Sequence, residues 1–242
     1  MILTVTDFGV GSPYLGHMRS ALNQSGADCE VIDLVADLPP YSVPAAAHFL
    51  ASQVRYFPKG ALFLVVIDPG VGSERLPLVL HADGQWFVGP DNGVLDVVAA
   101  RAQQFQCYRI NWNPSTLSAT FHGRDLFAPV AARVVSQRLQ KGELSRLEWH
   151  PEEGAAADLS QLIYIDHYGN GFSGIRASSV ADDSTLLCCG ERLNNARTYS
   201  DLPRGDNFWY ENSVGLIEIA ANQQNAERML NFSIGTTVEI LE

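Results

Sequence analysis

Five short polar segments carry the side chains of this sequence that are best suited to chemistry. In an open α/β sheet, ligands bind beyond the carboxyl ends of the strands, so polar residues that follow predicted strands are the first candidates for a site. Carboxylate, guanidinium and imidazole groups in one crevice can bind an anion, or orient and activate a water. The segments contribute Asp7 in TDFG, Asp68 in DPGVG, Asp91 and Asn92 in GPDNG, His122, Arg124 and Asp125 in TFHGRD, and Asp166 and Asn170 in IDHYGNG.

Each segment also has a structural interpretation that spacing alone leaves open. Asp7 can cap a turn, and an acid before Pro-Gly, such as Asp68, is a common turn arrangement. His122 can be a core histidine with satisfied hydrogen bonds. The other segments fit turns or a helix start equally well, with Asn92 before a glycine, Asp125 paired with Arg124 where a helix favours an acid, and Asn170 in a YGNG turn.

Several enzyme classes are excluded by missing motifs. DPGVG lacks the third glycine and the opening helix of a dinucleotide fingerprint, and the chain has no P-loop for phosphoryl transfer from ATP. It has no G-x-S-x-G elbow of a serine hydrolase, and DFG occurs without the rest of the kinase motifs. The histidines lack the spacing of metal ligands, so we expect no metal and no cofactor.

Residues 1–145 are predicted to form an α/β domain, because strands and helices alternate along them. ALFLVVID is apolar on both faces, which is typical of a central parallel strand, so we expect a mainly parallel central sheet. LPLVLHA and QWFVG are predicted to form a hairpin. The other predicted strands are ILTVT, CEVIDL and CYRIN, and the predicted helices are YLGHMRSALNQSG, VPAAAHFLASQVRYFP, GVLDVVAARAQ and GRDLFAPVAARVVSQRLQKG.

The pattern changes after this domain. Residues 146–158 are polar and irregular, which indicates a linker. Residues 159–242 contain short strands separated by turn signals, which predict a small all-β domain, either a barrel or a sandwich. The predicted strands are QLIYID, GFSGI, STLLCCG, NFWYE, GLIEIAA and TTVEIL.

Composition narrows the partners and the compartment. The net charge is −11 and the 16 basic residues are scattered, so we expect no nucleic-acid partner. The sequence shows neither a signal peptide nor an apolar run of the roughly 20 residues that a membrane span needs. The 4 cysteines have no C-x-x-C spacing and are expected to be reduced thiols in a cytoplasmic protein.

The ordered motifs TDFG, DPGVG, GPDNG, FHGRD, IDHYGN and NSVGLIEIA resemble the S-adenosyl-L-methionine hydroxide adenosyltransferase family, which is related to the fluorinase and the chlorinase. The resemblance runs from Thr6 to about Ala226. It implies an N-terminal α/β domain, a C-terminal β-barrel and a homotrimer with active sites at subunit interfaces. The implied reaction is an SN2 attack of water or hydroxide at the ribose C5′ of S-adenosylmethionine, which releases methionine and yields adenosine.

The resemblance implies a catalytic set of Asp68, Arg75 and His122. Water is a weak nucleophile, so it must be held in line with the C5′–S bond and given hydroxide character. An arginine cation lowers the energy of nascent hydroxide, and an aspartate can fix the arginine and accept a hydrogen bond from the water. The imidazole can orient the water or take its proton.

The resemblance also implies residues that contact the substrate. Asp7 is expected to bind both ribose hydroxyls, with an aromatic residue, Tyr41, near the ribose. Aromatic rings offer adenine a stacking surface. The remaining expected contacts are Asp166 and Ser213 to the methionine part, Asn170 and Asn222 to adenine, and Tyr168, Phe172 and Tyr199 around the base.

Three departures from the family pattern affect the expected substrate contacts more than the chemistry. They are Ser12 in place of an acid, Ser173 and Gly174 in place of Thr-Asn, and Val214 where the fluorinase has an arginine. Two alternatives to a hydrolase stay open. One is a non-catalytic sensor of S-adenosylmethionine or adenosine. The other is a halogenase, which is disfavoured because Asp68 and His122 are intact and a buried acid repels a halide.

Overall fold

The computed structural model of the protein describes residues 1–241. The chain forms two compact units, one spanning Met1–Ala156 and the other beginning at Ala157. Throughout residues 1–241, no helix combines the length and the apolar character needed to cross a membrane.

The first unit is an α/β domain, as predicted. Its strands are β1 (Ile2–Thr6), β2 (Val31–Val35), β3 (Leu62–Val66), β4 (Pro77–Ala82), β5 (Gln85–Pro90), β6 (Phe105–Ile110) and β7 (Leu144–Leu147). Its helices are α1 (Pro13–Gln24), α2 (Val43–Gln53), α3 (Asp96–Arg101) and α4 (Ala128–Val135), with one 3-10 turn at Val54–Tyr56 and one wide π-type turn at Gly123–Phe127.

The strands of this unit form one mixed sheet in the order β2-β1-β3-β5-β4-β6-β7. The neighbours β2, β1, β3 and β5 run parallel, which confirms the parallel centre. The predicted hairpin joins β4 to β5, with Val79 opposite Val88. The hairpin reverses the chain, so β4, β6 and β7 extend the sheet in antiparallel pairs.

The central strands supply the core of this unit. Every residue of β1 and β3 is buried, as expected for strands covered on both faces. Leu62, Leu64 and Val66 alternate along β3 and pack in one apolar cluster with Met18 and Leu22 of α1. Each such side chain contributes about 1.5–3 kcal/mol by leaving water, so the strand ends that lead into the polar motifs are firmly fixed.

The second unit is built mainly of β-strands, which confirms the all-β prediction. Its strands are β8 (Leu159–Ile165), β9 (Gly171–Arg176), β10 (Thr185–Cys188), β11 (Glu191–Leu193), β12 (Asn207–Glu211), β13 (Leu216–Ala221) and β14 (Val238–Leu241). The helical pieces are 3-10 turns at Ala177–Ser179 and Tyr199–Asp201 and the short helix α5 (Ala226–Leu230).

In the part that the structure describes, this unit forms no closed barrel of continuous ladders. Its continuous ladders form two sheets, β12-β13-β9-β8 and β11-β10-β14. Single bridges link the two sheets, one between Gln161 and Thr237 and one between Asn195 and Trp209. Register shifts around Leu162 interrupt the edge strand β8, and such irregularities end regular pairing at a sheet edge.

Two elements of the first unit differ from the sequence prediction. The predicted long helix after FHGRD begins as the wide turn and ends at Val135, and Gln137 then adopts φ +54°, which no helix continues. The polar stretch that follows contains β7, an exposed strand that pairs with β6 at the edge of the sheet. β7 carries no clear sequence signal because an edge strand buries little on either face.

Candidate active site

Arg75 contacts both Asp68 and His122 at the carboxyl end of β3. Arg75 Nε donates to Asp68 Oδ1 over 2.8 Å, and Arg75 Nη2 donates to Asp68 Oδ2. The two side chains are only 8% and 4% exposed, so their attraction is weakly screened by water. Nη2 of the same guanidinium lies 3.0 Å from Nδ1 of His122. The structure thus brings together the three residues of the expected catalytic set.

The tautomer of His122 follows from its partner. A guanidinium can only donate hydrogen bonds, so Nδ1 must be the unprotonated nitrogen and Nε2 carries the proton. Burial lowers the pKa of His122 and the Arg75 cation lowers it further, while Asp68 and Asp125 partly oppose these effects. His122 is therefore neutral at pH 7 and offers Nε2–H as a donor.

Two glycines let the segments that carry these side chains approach each other. Gly72 has φ +82°, and a Cβ there would lie 2.5 Å from the carbonyl oxygen of Ala119. A Cβ on Gly123 would lie 3.0 Å from Met18 Sδ and 3.1 Å from Val66 Cγ1. Larger residues at these positions would separate the loop after β3 from the segment that carries His122.

Asp7, Tyr41, Asp68 and His122 line one cleft of about 330 Å³ on the first unit. Asp7 follows β1 directly and Asp68 follows β3, and these parallel neighbours end at the same edge of the sheet. Arg75 is not part of the cleft lining and acts on it through Asp68 and His122. The topology therefore explains why residues far apart in the sequence share this cleft.

Asp7 holds Tyr41 in a strained backbone conformation. Tyr41 has φ +64°, which a bulky residue seldom adopts and which often marks a functional position. The backbone N–H of Tyr41 donates to Asp7 Oδ2 over 2.9 Å, and Tyr41 as a whole is 75% exposed. Within residues 1–241, Asp7 Oδ1 has no hydrogen-bond partner, so it is available to a ligand hydroxyl.

Phe8, Tyr14 and Phe121 form an aromatic wall of the same cleft that the sequence analysis missed. Their ring centroids lie 5.2 to 5.9 Å apart in edge-to-face contacts. This wall gives the cleft an apolar surface beside its charged residues. The sequence did contain a signal for this wall. Phe8 follows Asp7 in TDFG, and Phe121 precedes His122 in FHGRD, so each ring adjoins a candidate site residue.

The other candidate residues of the first-unit motifs, Asp91, Asn92, Arg124 and Asp125, are occupied by structural hydrogen bonds. None of them lines the cleft, and each stabilises a strand end or a helix start. Asn92 Nδ2 donates to Ile67 O over 2.9 Å, Asp91 Oδ1 accepts from Trp149 Nε1 over 2.9 Å, and Asp125 pairs with Arg124 and accepts from Ser118 N over 2.9 Å.

On the second unit, Tyr168, Asn170, Tyr199 and Asn222 line a cavity of about 790 Å³. All four were predicted to contact the adenosine part of a ligand. Tyr168 is 74% exposed and Tyr199 is 36% exposed, so ring surface is accessible for stacking. Asn222 Nδ2 donates a hydrogen bond to the carbonyl oxygen of Leu202 over 2.7 Å.

A chain of hydrogen bonds connects this cavity to a buried carboxylate. Asn170 Nδ2 donates to Tyr199 Oη over 3.2 Å, and Tyr199 Oη lies 2.9 Å from Tyr210 Oη. Tyr210 Oη donates to Glu218 Oε1 over 2.5 Å. Glu218 is 2% exposed, and burial raises its pKa to about 7. The sequence analysis missed Glu218, whose only signal was a single acid in the apolar strand GLIEIAA.

Three predicted substrate residues lie outside the lining of this cavity. Asp166 accepts hydrogen bonds of 2.9 to 3.0 Å from Tyr168 N, Asn170 N and Asn170 Nδ2, so its carboxylate holds the YGNG turn. Phe172 packs edge-to-face on Tyr164, with ring centroids 5.6 Å apart. Ser213 is exposed in the turn before β13.

Family models match both units of the chain. The model for the SAM hydroxide adenosyltransferase N-terminal domain matches residues 2–143, and the model for the C-terminal domain matches residues 160–239. The chain belongs to the SAM hydroxide adenosyltransferase family. The resemblance that the six motifs indicated is therefore confirmed.

Relatives in this family match almost the whole chain. An (R)-S-adenosyl-L-methionine hydrolase of Thermus thermophilus is 30% identical over 98% of both chains, and one of Salinispora arenicola is 32% identical over 97% of this chain and 95% of its own. A fluorinase of Actinopolyspora mzabensis is 22% identical over 99% and 96%. The crystal structure of an uncharacterized conserved protein from Thermotoga maritima superposes with a TM-score of 0.89 at 29% identity, covering 100% of both chains.

The Ser12 departure from the family pattern has a structural role in this member, whereas at Val214 the structure shows only a backbone contact. Ser12 is the N-cap of α1, where its side chain accepts from Tyr14 N over 3.4 Å, and Pro13 follows at the first helical position. Val214 N donates to Asn212 Oδ1 over 3.0 Å in the turn before β13.

Proposed function

We propose that this protein hydrolyses S-adenosyl-L-methionine to adenosine and L-methionine by attack of a water at the ribose C5′. The observation that carries the proposal is the buried Asp68–Arg75 pair in contact with neutral His122, beside the unoccupied carboxylate oxygen of Asp7. Family membership and relatives named as (R)-S-adenosyl-L-methionine hydrolases support the same reaction.

The geometry favours a water held between Asp68 and His122. Each oxygen of Asp68 retains a lone pair beyond its bond to Arg75 and can accept a hydrogen bond from the water. Nε2–H of His122 can donate to the water oxygen, which leaves one lone pair of that oxygen for C5′. In this arrangement His122 orients the nucleophile, and Asp68 receives the proton that the water loses.

Charge neutralisation supplies the driving force in the proposed step. As the water oxygen bonds to C5′, the C5′–S bond breaks and its electron pair stays on sulfur. The sulfonium thereby becomes a neutral thioether, so the leaving group needs no acid. The Arg75 cation stabilises the hydroxide character of the nucleophile, and the burial of the Asp68–Arg75 pair strengthens this effect.

The proposed substrate contacts divide between the two lined surfaces. Asp7 Oδ1 binds a ribose hydroxyl, and Tyr41 lies beside the ribose. Asn170 and Asn222 contact adenine, with Tyr168 and Tyr199 as stacking surfaces. Phe172, on β9, is proposed to pack near the adenine base. Asp166 and Ser213 remain the proposed methionine contacts.

We also propose a homotrimer whose active sites combine residues of two subunits. Mixing two impaired variants after subunit exchange, with the substrate held well below KM, tests this arrangement. An equal mixture of Asp68→Ala subunits and Asn170→Ala subunits should recover about a quarter of the wild-type sites if each site takes the two residues from different subunits. No recovery, or a monomer by light scattering, contradicts shared sites.

Product analysis tests the hydrolase proposal against its alternatives. The purified protein is incubated with S-adenosylmethionine of either configuration at sulfur, with and without halide, and the products are separated by chromatography. We expect adenosine and methionine in equal amounts from the R form and loss of both in Asp68→Ala and His122→Ala variants. Tight binding without adenosine formation supports the sensor instead, and a halogenated nucleoside supports the halogenase.

A further inference from the structure

The hydrogen-bond chain behind the second-unit cavity has a fixed direction at its buried end. Asn212 Oδ1 accepts from the backbone N–H groups of Val214 and Leu216 over 3.0 and 2.9 Å. The amide of Asn212 is therefore oriented with Nδ2 toward Glu218 Oε2, to which it donates over 3.0 Å. Glu218 Oε1 is left to accept from Tyr210. An ionised Glu218 can only accept, so Tyr210 must donate to it.

The cavity end of the chain is fixed as well. Asn170 Nδ2 donates to Asp166 Oδ2 over 3.0 Å and to Tyr199 Oη over 3.2 Å. Flipping the Asn170 amide would place its oxygen against the Asp166 carboxylate, which is unfavourable. Because the hydrogen of Tyr210 is committed to Glu218, Tyr199 donates its hydrogen to Tyr210.

The cavity wall consequently offers acceptors at these two residues. Both hydrogens of the Asn170 amide and the hydroxyl hydrogen of Tyr199 are directed along the chain. Within the described residues, Asn170 Oδ1 has no partner, so it is the unused polar atom of a residue that lines the cavity. A ligand that donates a hydrogen bond is matched there, and a ligand that only accepts is not.

We propose that Glu218, acting through Tyr210 and Tyr199, is a positioning residue that makes this cavity select a nucleobase with an exocyclic amino group over one with a carbonyl at the same place. The proposal rests on the adenine contacts of the proposed function. It assigns base selectivity to a carboxylate that lies outside the cavity.

Neutralising Glu218 reverses the chain. A protonated Oε1 donates to Tyr210, which then donates to Tyr199, and the hydroxyl hydrogen of Tyr199 is released toward the cavity. Glu218→Gln gives the same reversal at every pH, because the side-chain oxygen of Gln must face Asn212 Nδ2 and its NH2 group must face Tyr210. The cavity then offers a donor that suits a carbonyl.

Few other groups face Glu218. Across β12 it pairs with Tyr210, across β9 it pairs with Phe172, which does not titrate, and Asn212 contacts its other oxygen. Asp166 and Tyr199 are the remaining ionisable neighbours, and both are acids. Burial raises the pKa of Glu218 to about 7, so the reversal should occur near neutral pH in the wild-type protein.

Equilibrium binding of adenosine and inosine to the full chain tests the proposal. Inosine carries a carbonyl where adenosine carries the amino group. At pH 8 we expect the wild type to prefer adenosine, and Glu218→Gln and Tyr210→Phe to lower the ratio of affinities about three- to tenfold, the worth of one hydrogen bond. In the wild type the ratio should fall similarly from pH 8 to pH 5.5, and in Glu218→Gln it should stay constant.

The exposed carboxylate of Glu239 on β14 gives the control variant Glu239→Gln, which should match the wild type.

The outcomes separate this inference from the proposed hydrolysis. An equal affinity ratio in wild type and Glu218→Gln, a pH-independent ratio in the wild type, or no adenosine binding at all overturns the inference. The expected pattern in a protein that turns over no S-adenosylmethionine supports the inference, and only the hydrolysis then fails. The wild-type pH series needs no substitution, so misfolding of a variant does not hide the answer.

Discussion

The cleft of the first unit and the cavity of the second unit are built from different polar groups. In the cleft, a buried ion pair and a neutral imidazole are held at the ends of parallel strands. In the cavity, amides and phenols form hydrogen-bonded chains at the turns and strands of antiparallel sheets. Formal charge is concentrated in the cleft, and neutral dipoles line the cavity.

This difference suits the two tasks of the proposed function. Breaking a C–S bond with water requires a group that stabilises developing hydroxide, which is the role of a fixed cation in a weakly hydrated site. Recognising a flat, neutral base requires stacking surfaces and directed donors and acceptors. Variants in the cleft should therefore lower kcat, and variants in the cavity should change affinity.

The largest expected effect is the loss of turnover in Asp68→Asn. The amide cannot maintain the two-point ion pair with Arg75 and cannot receive the proton of the water, so we expect kcat to fall by about 100-fold or more. Glu74→Gln, in the same loop but exposed, is the matched control and should retain wild-type kcat. Equal losses in both variants would contradict the role of the ion pair.

The next effect concerns stability in the second unit. The folded-state pKa of Glu218 is raised from 4.5 to about 7, so its contribution to stability is full below pH 4.5 and is lost as the pH rises through 7. Compared with wild type, Glu218→Gln should lose less free energy of unfolding between pH 5 and pH 8, by up to about 3 kcal/mol. Parallel urea-unfolding pH profiles for the two proteins would refute this.

A smaller effect is expected for affinity. Asn170→Ala removes an amide of the cavity wall and should raise KM about tenfold, with kcat reduced much less. Steady-state kinetics at saturating and limiting substrate separates the two constants. A fall in kcat at constant KM would place Asn170 with the chemical step and remove the contrast between cleft and cavity.

The smallest effect is a shift in a titration. The pKa of His122 lies below 6.5 because of burial and the Arg75 cation, so turnover should persist as the pH falls through 6.5 and decline only below it. In Arg75→Met, NMR titration of His122 should give a higher pKa than in wild type. An unchanged or lower pKa would show that the guanidinium does not act on the imidazole.

The sequence predicted the parts of the fold that depend on local pattern. The short strand β1, the fully apolar β3, the β4–β5 hairpin and the separate all-β unit all follow from local sequence pattern and turn residues. The edge strand β7 and the early end of α4 were missed, because one buries little and the other ends at a left-handed residue, Gln137, that has no sequence signature.

The candidate site divides in the same way. Asp68 and His122 come from contiguous motifs that end or precede regular elements, so the sequence could indicate them. Tyr210 and Glu218 meet only because β12 and β13 pair in a particular register. Spacing along the chain does not encode that register, so the hydrogen-bond chain through Tyr210 to Glu218 could be found only in the structure.

The most direct test of the account is to follow the oxygen of the attacking water. The protein is incubated with (R)-S-adenosyl-L-methionine in 18O-labelled water, and the released adenosine and methionine are analysed by mass spectrometry. We predict one labelled oxygen on the 5′ carbon of adenosine, none in methionine, and product formation by Asp68→Asn slowed by about 100-fold or more. Unlabelled adenosine, or cleavage at a carbon other than C5′, would contradict it.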